Sequence, residues 1–336
     1  MVSAREFDHC ARGSLRRNLV FRSSSKGCGV AIPVILDCDP GTDDALAILL
    51  ALASPELSVL AITVSGGNVG LDHTLANATA LKALAGSTVP VHGGADRPLL
   101  GAYVSETRIH GENGLGEITL CAGGEPAPGL AADVIRGLLR DSSEPVTLIG
   151  VGPATNLALA LTTEPGIARC VKQIVLMSGA WAEGNVTPAA EFNAWSDPEA
   201  LAILMASGCP LVFATLELTA QAIVTPARIA AWRGLGDGQC LATACDIQAT
   251  VPSSRRLQGL GAPLHDPCAV AWLIRPDLFT ARDCSVRIDL TQGPGRGRTL
   301  IDRWGSSGDP VNATVLETLD AEGFFELLGQ RLAILP

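Results

Sequence analysis

The stretch that decides the fold reads VILDCDPGTDDALAILLAL and covers residues 34–52. Between its two apolar runs lie four aspartates: Asp37, Asp39, Asp43 and Asp44. The first run predicts a strand buried on both faces, because its apolar residues are continuous rather than alternating. Pro40 and Gly41 predict a turn, and the run 45–53 predicts a helix that begins at the acidic pair. The stretch therefore places four acidic groups where a strand passes into a helix.

Electrostatics makes this acidic cluster costly unless something neutralises it. An acid at a helix N-terminus is stabilising by about 0.3–1 kcal/mol, which accounts for one or two of the four. Partly buried carboxylates at such short range repel each other and take up protons. A divalent cation removes that repulsion, and oxygen-only ligands indicate a hard ion, Ca²⁺ or Mg²⁺, rather than zinc. The simpler alternative is an acidic helix start that serves solubility; we favour the metal site.

Strand-like and helix-like segments alternate along the rest of the chain. The apolar runs predict strands at 34–37, 58–65, 89–92, 145–151, 173–179 and 211–218. Helices are predicted between and after them at 42–53, 72–85, 129–140, 155–163, 197–207 and 226–233. This rhythm indicates an α/β fold with a doubly wound, mainly parallel sheet flanked by helices. In such sheets ligands bind at the carboxyl ends of the strands.

Composition limits the organisation and the partners. The 336 residues are 47% hydrophobic and only 4% aromatic, so aliphatic side chains must fill a large core. Residues 1–30 carry six basic and two acidic groups, a charge of +4. Since the whole chain has a net charge of −10, the remainder carries −14. That acidic body argues against nucleic acid as a partner. We expect 1–30 to be a disordered N-terminal extension and 31–336 to be a single catalytic domain.

Cysteine spacing and hydropathy indicate the compartment. The ten cysteines are scattered singly without any CxxC pair, which is typical of reduced thiols in a cytoplasmic protein. The longest apolar run, 45–53, is too short to span a bilayer. We therefore expect a cytoplasmic protein with no membrane partner.

Two further polar segments follow predicted strands or open predicted helices. In GNVTPAAEFNAWSDPEA (184–200), Asn185, Glu191 and Asn193 suit a polyhydroxylated ligand, although each alone could be a loop cap. In PLHDPCAVAWLI (263–274), Asp266 could be a plain N-cap, and His265 is a candidate general acid. Asn68 in SGGN and His110 in HGENGLG complete the set.

Two other enzyme classes share parts of this pattern. The pair Asp37 and Asp39 after a buried strand also resembles the start of haloacid-dehalogenase-type phosphotransferases. Those proteins place Thr or Val two residues after the second aspartate, where this chain has Gly41. The segment GVGPAT (150–155) resembles a dinucleotide-binding turn, but its third glycine is missing and no acidic residue ends the next predicted strand.

Taken together, these motifs resemble those of the inosine–uridine-preferring nucleoside hydrolase family. DCDPGTDDA, the GN at 67–68, HGENG, VGPATN, GNVTPAAEFN, DPEA and HDP occur in the family's order from about residue 33 onward. The resemblance implies a doubly wound α/β fold, one bound Ca²⁺, and hydrolysis of the N-glycosidic bond of purine or pyrimidine ribonucleosides to ribose and free base. It also implies a homodimer or homotetramer. The alternatives are a narrowly pyrimidine-specific hydrolase and a non-catalytic ribose- or nucleoside-binding protein of the same fold.

The resemblance also implies a role for each matching residue. The Ca²⁺ ligands would be the carboxylates of Asp39, Asp44 and Asp266 and the backbone carbonyl of Val151. Asp39 would be the general base for the attacking water, and His265 the proton donor to the leaving base. His110 would lie near the base, and Asp37 would support the ligands and the loop from behind. The ribose hydroxyls would be held by Asp43, Asn68, Asn185, Glu191 and Asn193.

The base-binding half departs from the family pattern. Purine-accepting members carry tyrosines upstream of HDP, whereas ATVPSSRRLQGLGAPLHDP (249–267) contains no aromatic residue. The only tyrosine of the chain is Tyr103, and Trp195, Trp232 or Trp272 could take over the stacking. Arg255 and Arg256 are either polar base contacts or solvated helix charges. The sequence therefore leaves the base preference open.

Overall fold

The computed structural model describes residues 30–254 and 259–336. Residues Ala31–Pro336 form one compact unit. The expectations for residues 1–29 and for Arg255 and Arg256 lie outside the described residues.

Strands and helices largely alternate along the chain as far as Val224, and the last three strands follow one another near the end. The strands are β1 (Ile32–Cys38), β2 (Leu57–Val64), β3 (Val91–Gly93), β4 (Val146–Gly150), β5 (Val171–Met177), β6 (Leu211–Ala214), β7 (Ile223–Val224), β8 (Ala262–Pro263), β9 (Phe279–Ile288), β10 (Thr299–Asp302) and β11 (Ala313–Leu319). The helices are α1 (Asp44–Ala53), α2 (Leu71–Leu84), α3 (Thr107–His110), α4 (Ala131–Asp141), α5 (Thr155–Thr163), α6 (Phe192–Ser196), α7 (Pro198–Ala206), α8 (Leu216–Thr219), α9 (Pro226–Arg233), α10 (Gln239–Thr250), α11 (Pro267–Ile274) and α12 (Ala321–Ala333).

Nine of the described strands form one sheet in the order β10-β9-β11-β6-β5-β4-β1-β2-β3. From β11 to β3 every neighbouring pair is parallel, and β9 is antiparallel to both β10 and β11. The interior strand β1 pairs Asp37 with Thr63 of β2 on one side and with Gly150 of β4 on the other. The carboxyl ends of β1, β2 and β4 are therefore level, and the loops that follow them meet at one edge.

Helices cover both faces of this sheet. Successive residues of β1 point to opposite sides, so that Val34 and Leu36 join one hydrophobic core and Ile35 joins the other. The first core contains α1, α2, α10, α11 and α12, and the second contains α4, α5 and α7. This arrangement confirms the predicted doubly wound, mainly parallel α/β fold.

Helix α1 explains the apolar run that follows the aspartates. All its residues from Asp44 to Ala51 are buried, because the helix lies inside the first core rather than at its surface. Burying one leucine or isoleucine side chain stabilises the fold by about 1.5–3 kcal/mol. The helix start, with its acidic pair, is therefore fixed firmly beside the end of β1.

One predicted strand is wrong in its second half. The apolar run 211–218 forms β6 only as far as Ala214, and Leu216–Thr219 is the short helix α8. The chain turns there because the Leu216 N–H donates to the carbonyl of Gly179 at 3.0 Å, beyond the end of β5. An apolar run of this length has no periodicity that separates strand from helix.

Two predictions from composition can be compared with the described residues. The eight described cysteines are all free thiols, as the scattered spacing indicates. None of the helices in 30–254 and 259–336 combines the length and the apolar character needed to cross a membrane.

Candidate active site

The turn between β1 and α1 is closed by its own aspartates. The Asp44 carboxylate accepts the backbone N–H of Asp39 at 3.1 Å and that of Gly41 at 2.9 Å. It thereby holds the turn from the first residue of α1. The groups that contact the Asp44 carboxylate within the turn are neutral peptide N–H groups.

Asn68, from the loop after β2, joins the two aspartates across the edge of the sheet. Its backbone N–H donates to Oδ2 of Asp39 at 2.7 Å. Its side-chain Nδ2 donates to Oδ2 of Asp44 at 3.0 Å and to the carbonyl of Asp39 at 3.1 Å. The structure therefore brings Asn68 directly to the acidic turn, as the parallel topology predicts.

The other oxygen of Asp39, Oδ1, is buried. Within residues 30–254 and 259–336 no group donates a hydrogen bond to it. The backbone encloses this carboxylate closely, because a Cβ at Gly67 would lie 2.0 Å from Oδ2 and one at Gly152 would lie 2.5 Å from Oδ1. A buried carboxylate oxygen without a donor is costly unless a cation or an ordered water contacts it.

Asp43 and Asp266 occupy matching positions at the starts of two helices. Each is the N-cap residue, of α1 and of α11, and neither side chain makes a cap hydrogen bond. Ligand oxygens of Asp43, Asp44 and Asp266 all lie within 4.8 Å of one another. These three side chains, with Asp39 beside them, form an oxygen-rich cluster that can hold a metal ion.

Burial and mutual repulsion disfavour ionisation of Asp39, Asp44 and Asp266. Burial, followed by the charge of Asp43, raises the pKa of Asp44 to about 7. Burial also raises the pKa of Asp39 and of Asp266 well above the usual range, with the charge of Asp44 next for Asp39 and that of Asp43 next for Asp266. A divalent cation would reverse these shifts by stabilising the ionised carboxylates. The donor set therefore fits a hard cation.

Val151 lies across the sheet edge from the aspartates, after β4. Its carbonyl accepts Nδ2 of Asn193 at 2.8 Å, and the same Nδ2 donates to the carbonyl of Met177 at 3.0 Å. Its N–H donates to the carbonyl of Asp37 at 2.9 Å. The Asn193 side chain thus ties together the ends of β4 and β5.

Glu191 and Asn185 shape the loop that leads into α6. The Glu191 carboxylate accepts the backbone N–H groups of Gly179 at 2.8 Å, Asn193 at 2.8 Å and Ala194 at 3.0 Å. Asn185 is exposed, and its Oδ1 accepts the N–H of Phe192 at 2.8 Å. Both residues therefore make the capping contacts that the sequence allowed as an alternative, at the same edge of the sheet as Asn193.

Asp37 points away from the acidic turn, toward two neutral donors. Its Oδ1 accepts Oγ1–H of Thr63 at 2.6 Å and Nδ2–H of Asn156 at 2.9 Å. Burial nevertheless raises its pKa to about 7. Asp37 thus joins β1, β2 and α5 behind the cluster, which is where a supporting residue would lie.

The two candidate histidines occupy different surroundings. His110 is buried, and its Nδ1 accepts the backbone N–H of Thr42 at 3.1 Å, so the ring is neutral with its proton on Nε2. Burial correspondingly lowers its pKa. The Thr42 carbonyl accepts a hydrogen bond from Nε2 of Gln248 at 3.0 Å, so the acidic turn also contacts α10.

His265 is partly exposed, and its Nδ1 lies 2.6 Å from Oγ1 of Thr219.

Three of the four aromatic candidates for base stacking have structural contacts. The Tyr103 hydroxyl lies 2.8 Å from Oγ1 of Thr155. Trp232 is buried and donates its Nε1–H to the carbonyl of Phe325 at 3.1 Å. Trp272 meets the ring of Phe279 edge-on at 5.8 Å. These contacts account for the three side chains as parts of the fold.

Sequence reasoning missed several residues that contact the candidate site: Thr42, Thr63, Asn156, Thr219 and Gln248. Asn156 is the last residue of the VGPATN motif, so its position carried a signal. Thr42 lies within DCDPGTDDA, so its position carried a signal as well. Thr219 directly follows the segment 211–218, which was predicted to be a strand, so no helix end was expected there. Thr63 and Gln248 are isolated polar residues whose contacts are made across the fold.

Comparison with known proteins identifies the relatives of this arrangement. A family model described as inosine-uridine preferring nucleoside hydrolase matches residues 34–326. A pyrimidine-specific ribonucleoside hydrolase (RihA) from Enterobacter sp. (strain 638) is 42% identical over 308 residues, which cover 90% of this chain and 98% of that protein. The protein of the same name from Shewanella woodyi is 43% identical over 304 residues, with coverages of 89% and 97%.

Solved structures give the same result at lower identity. A purine-preferring ribonucleoside hydrolase from Gardnerella vaginalis matches with a TM-score of 0.83 and 31% identity, covering 90% of this chain and 98% of that one. A plant nucleoside hydrolase matches with a TM-score of 0.84 and 32% identity, covering 91% and 100%. Since sequence family, relatives and fold agree along almost the whole chain, this protein belongs to the inosine-uridine preferring nucleoside hydrolase family.

Proposed function

We propose that this chain hydrolyses the N-glycosidic bond of ribonucleosides to ribose and free base, depends on Ca²⁺, and prefers pyrimidine nucleosides. The observation that carries the proposal is the buried Oδ1 of Asp39, which has no hydrogen-bond partner among the described residues, in a carboxyl group close enough to Asp44 and Asp266 to interact electrostatically with both. The pyrimidine preference is supported by relatives at 42% and 43% identity that are named pyrimidine-specific. The purine-preferring enzyme from Gardnerella vaginalis is less similar, at 31% identity.

The proposed cation ligands are the carboxylates of Asp39, Asp44 and Asp266 and the carbonyl of Val151. Ca²⁺ fits this set better than Mg²⁺, because it accepts six to eight oxygen ligands, carbonyls included, whereas Mg²⁺ keeps several waters in strict octahedral geometry. When bound, the ion would supply a water of lowered pKa and an anchor for ribose hydroxyls.

The protein side chains would perform the remaining steps. Asp39 takes the proton from the attacking water, because its Oδ1 is buried and accepts no hydrogen bond from the described residues. Positive charge that develops on the ribose ring is stabilised by the surrounding carboxylates. His265 donates a proton to the departing base. The ribose hydroxyls are held by Asp43, Asn68, Asn185, Glu191 and Asn193, and the base lies near His110.

A nucleoside panel tests this function. Purified protein with saturating Ca²⁺ is incubated with uridine, cytidine and inosine, and free ribose is measured. We expect ribose from all three, with the highest kcat/KM for the pyrimidine nucleosides. A higher kcat/KM for inosine would contradict the pyrimidine preference. Binding of uridine without any ribose release would favour the non-catalytic binding protein.

Assembly and compartment belong to the same proposal. We propose a homodimer or homotetramer, on the strength of the family resemblance, and a cytoplasmic location, which the eight free thiols support. Light scattering on the purified protein measures the assembly. A monomeric mass at micromolar concentration would contradict it.

A further inference from the structure

We infer that Thr219 is a positioning residue that fixes the ring of His265, so that Nδ1 keeps its proton and Nε2 is the nitrogen that donates to the leaving base. The inference rests on the proposed function, because it assigns a partner to the proton donor of that reaction. Thr219 ends helix α8, the element that replaces the second half of a predicted strand. Thr219 lies outside the motifs, from DCDPGTDDA to HDP, that carry the family resemblance.

The contact between the two side chains is short and enclosed. Oγ1 of Thr219 lies 2.6 Å from Nδ1 of His265, and Thr219 has no exposed surface. The same hydroxyl faces the carbonyl of Leu216 at 3.4 Å. A buried hydroxyl with one acceptor and one ring nitrogen beside it has few arrangements open to it.

Both partners are held by backbone contacts, so the distance between them is built into the fold. The Leu216 N–H donates to the Gly179 carbonyl at 3.0 Å, which sets the start of α8. The Leu264 N–H donates to the Ala222 carbonyl at 2.8 Å, which ties the segment before His265 to the chain just after α8. The antiparallel pair β7–β8 continues this connection.

The proton that His265 must donate determines the direction of its hydrogen bond with Thr219. A ring that donates a proton starts as imidazolium, in which both nitrogens carry hydrogen, so Nδ1–H must donate to Oγ1 of Thr219. The hydroxyl hydrogen then points to the Leu216 carbonyl. During the reaction the Nε2–H bond breaks, its electron pair stays on Nε2, and the proton bonds to the departing base. The ring becomes neutral with its proton on Nδ1, and the contact with Thr219 is unchanged.

By accepting the Nδ1–H bond, Thr219 selects one tautomer and one orientation of the His265 ring. Hydrogen-bond acceptors have the same effect on metal-bound imidazoles. Without the acceptor, Nδ1–H loses its hydrogen bond to Thr219. The proton of the neutral ring is then less strongly held on Nδ1 and can shift to Nε2, the nitrogen that must accept a new proton before the next turnover.

The pair Thr219→Val and Thr219→Ser tests the inference. Valine has the shape of threonine but cannot accept the Nδ1–H bond, whereas serine can. For uridine we expect kcat of the valine variant to fall by about 10–100-fold, the usual effect of removing a partner that orients an imidazole. With p-nitrophenyl riboside, whose leaving group needs no proton, we expect a change of no more than about threefold. The serine variant should retain both rates.

Thr79→Val is the matched control. Thr79 is also a buried threonine that bonds a helix carbonyl, Ala76 at 2.9 Å, but it lies on α2 away from the histidine. Its replacement should not change the ratio of the two rates. A loss that is equal for uridine and p-nitrophenyl riboside in Thr219→Val, or a serine variant as impaired as valine, would overturn the inference. A wild-type protein that releases no ribose would instead overturn the proposed function.

Nitrogen NMR gives a measurement that does not depend on variants or turnover. In the ¹⁵N-labelled, Ca²⁺-loaded wild-type protein, the neutral ring of His265 should carry its proton on Nδ1. Its resonances are assigned by their absence in His265→Gln. A proton on Nε2 of the neutral ring would show that Thr219 donates rather than accepts, and would overturn the inference directly.

Discussion

At the scale of single residues, aspartates at helix starts serve two different purposes in this protein. Asp197 and Asp320 cap α7 and α12, accepting the N–H of Ala200 at 3.0 Å and of Gly323 at 3.2 Å. Asp43 and Asp266 occupy the same helix position but leave that hydrogen bond unmade. A cap of this kind stabilises a helix by about 0.5–2 kcal/mol. Its absence at two neighbouring helix starts supports the proposal that these two carboxylates hold a ligand.

Asp39 is the residue on which turnover should depend most. Asp39→Asn keeps the shape of the side chain but removes the base and the charge. We expect kcat for uridine to fall by a factor on the order of 10³, within the usual range for a general base. The rate of ribose release at saturating uridine measures this kcat. Asp141→Asn, at the exposed end of α4, is the control and should remain at wild-type rates; a comparably active Asp39→Asn would mean that another group is the base.

The tight fit around Asp39 gives a steric prediction. A Cβ at Gly67 would lie 2.0 Å from Oδ2 of Asp39, so Gly67→Ala must displace that carboxylate. A displacement of about 1 Å can cost a hundredfold in rate. Gly70→Ala is the matched control, because a Cβ there has no neighbour within 4 Å. The kcat of both variants is measured with uridine, and equal activity would show that the position of Asp39 is unimportant.

The carboxylates also predict how stability depends on pH when the metal is removed. The pKa of Asp44 is raised to about 7 in the folded protein, against about 3.9 in an unfolded chain. Between these two pKa values the folded protein holds a proton on Asp44 that the unfolded chain has released. The contribution of Asp44 to the free energy of unfolding is therefore complete below about pH 4 and is lost as the pH rises through 7. In EDTA we expect Tm to fall between pH 5.5 and pH 8.

Calcium should reverse this trend, since protons compete with the cation for the same oxygens. The rise in Tm on adding Ca²⁺ should be larger at pH 8 than at pH 5.5. At a hundred times its Kd, a ligand stabilises the folded state by about 2.7 kcal/mol. Thermal unfolding in EDTA and in Ca²⁺ measures both effects, and Asp44→Asn should weaken them. A calcium effect that is larger at the lower pH would contradict the assignment.

At the scale of elements, α6 depends on Glu191. This carboxylate accepts three backbone N–H groups, two of them in the first turn of the helix. Glu191→Ala should lower the free energy of unfolding by about 1–3 kcal/mol, because buried donors lose their partner. It should also raise KM for uridine, because the helix carries Asn193. Both quantities are measured on the same preparation.

Asp320→Ala is the corresponding control for a helix cap. Asp320 caps α12, which carries none of the proposed site residues. Its loss should cost about 1 kcal/mol of stability without changing KM. If KM rose equally in both variants, the effect of Glu191 would be one of general stability and not of substrate binding.

Two helices that begin with a capping side chain followed by proline were predicted well from the sequence. Helix α9 has the bounds that its sequence predicts, and α7 has Asp197 as its N-cap and Pro198 as its first residue. The segment 211–218 failed because continuous apolar residues fit both a strand end and a short helix. Its change of direction is set by a hydrogen bond to Gly179, which is distant in sequence and not visible in any local pattern.

At the scale of the whole molecule, the alternation of strands and helices was enough to predict the sheet and the edge that carries the site. Asp39, Asp44 and Asn68 meet there because they follow neighbouring parallel strands. The antiparallel strand β9 was not predicted, since its pairing with β11 depends on long-range contacts. The link from Asn193 to Val151 and the contact between Thr219 and His265 were missed for the same reason.

The N-terminal segment gives a prediction about the whole chain. The family match begins at residue 34, so a chain without residues 1–30 retains every proposed site residue. We expect that shortened chain to keep its kcat/KM for uridine and its Tm. A loss of either on deletion would assign the segment a part in the catalytic unit.

The most direct test of the central claim is calcium titration of metal-free protein with uridine as substrate. The chelated protein should release no ribose, and activity should rise with Ca²⁺ to a plateau at one ion per chain. Asp44→Asn and Asp266→Asn should need far more Ca²⁺ to reach half of their own plateau. Full ribose release in the presence of EDTA, or none at saturating Ca²⁺, would contradict a calcium-dependent nucleoside hydrolase.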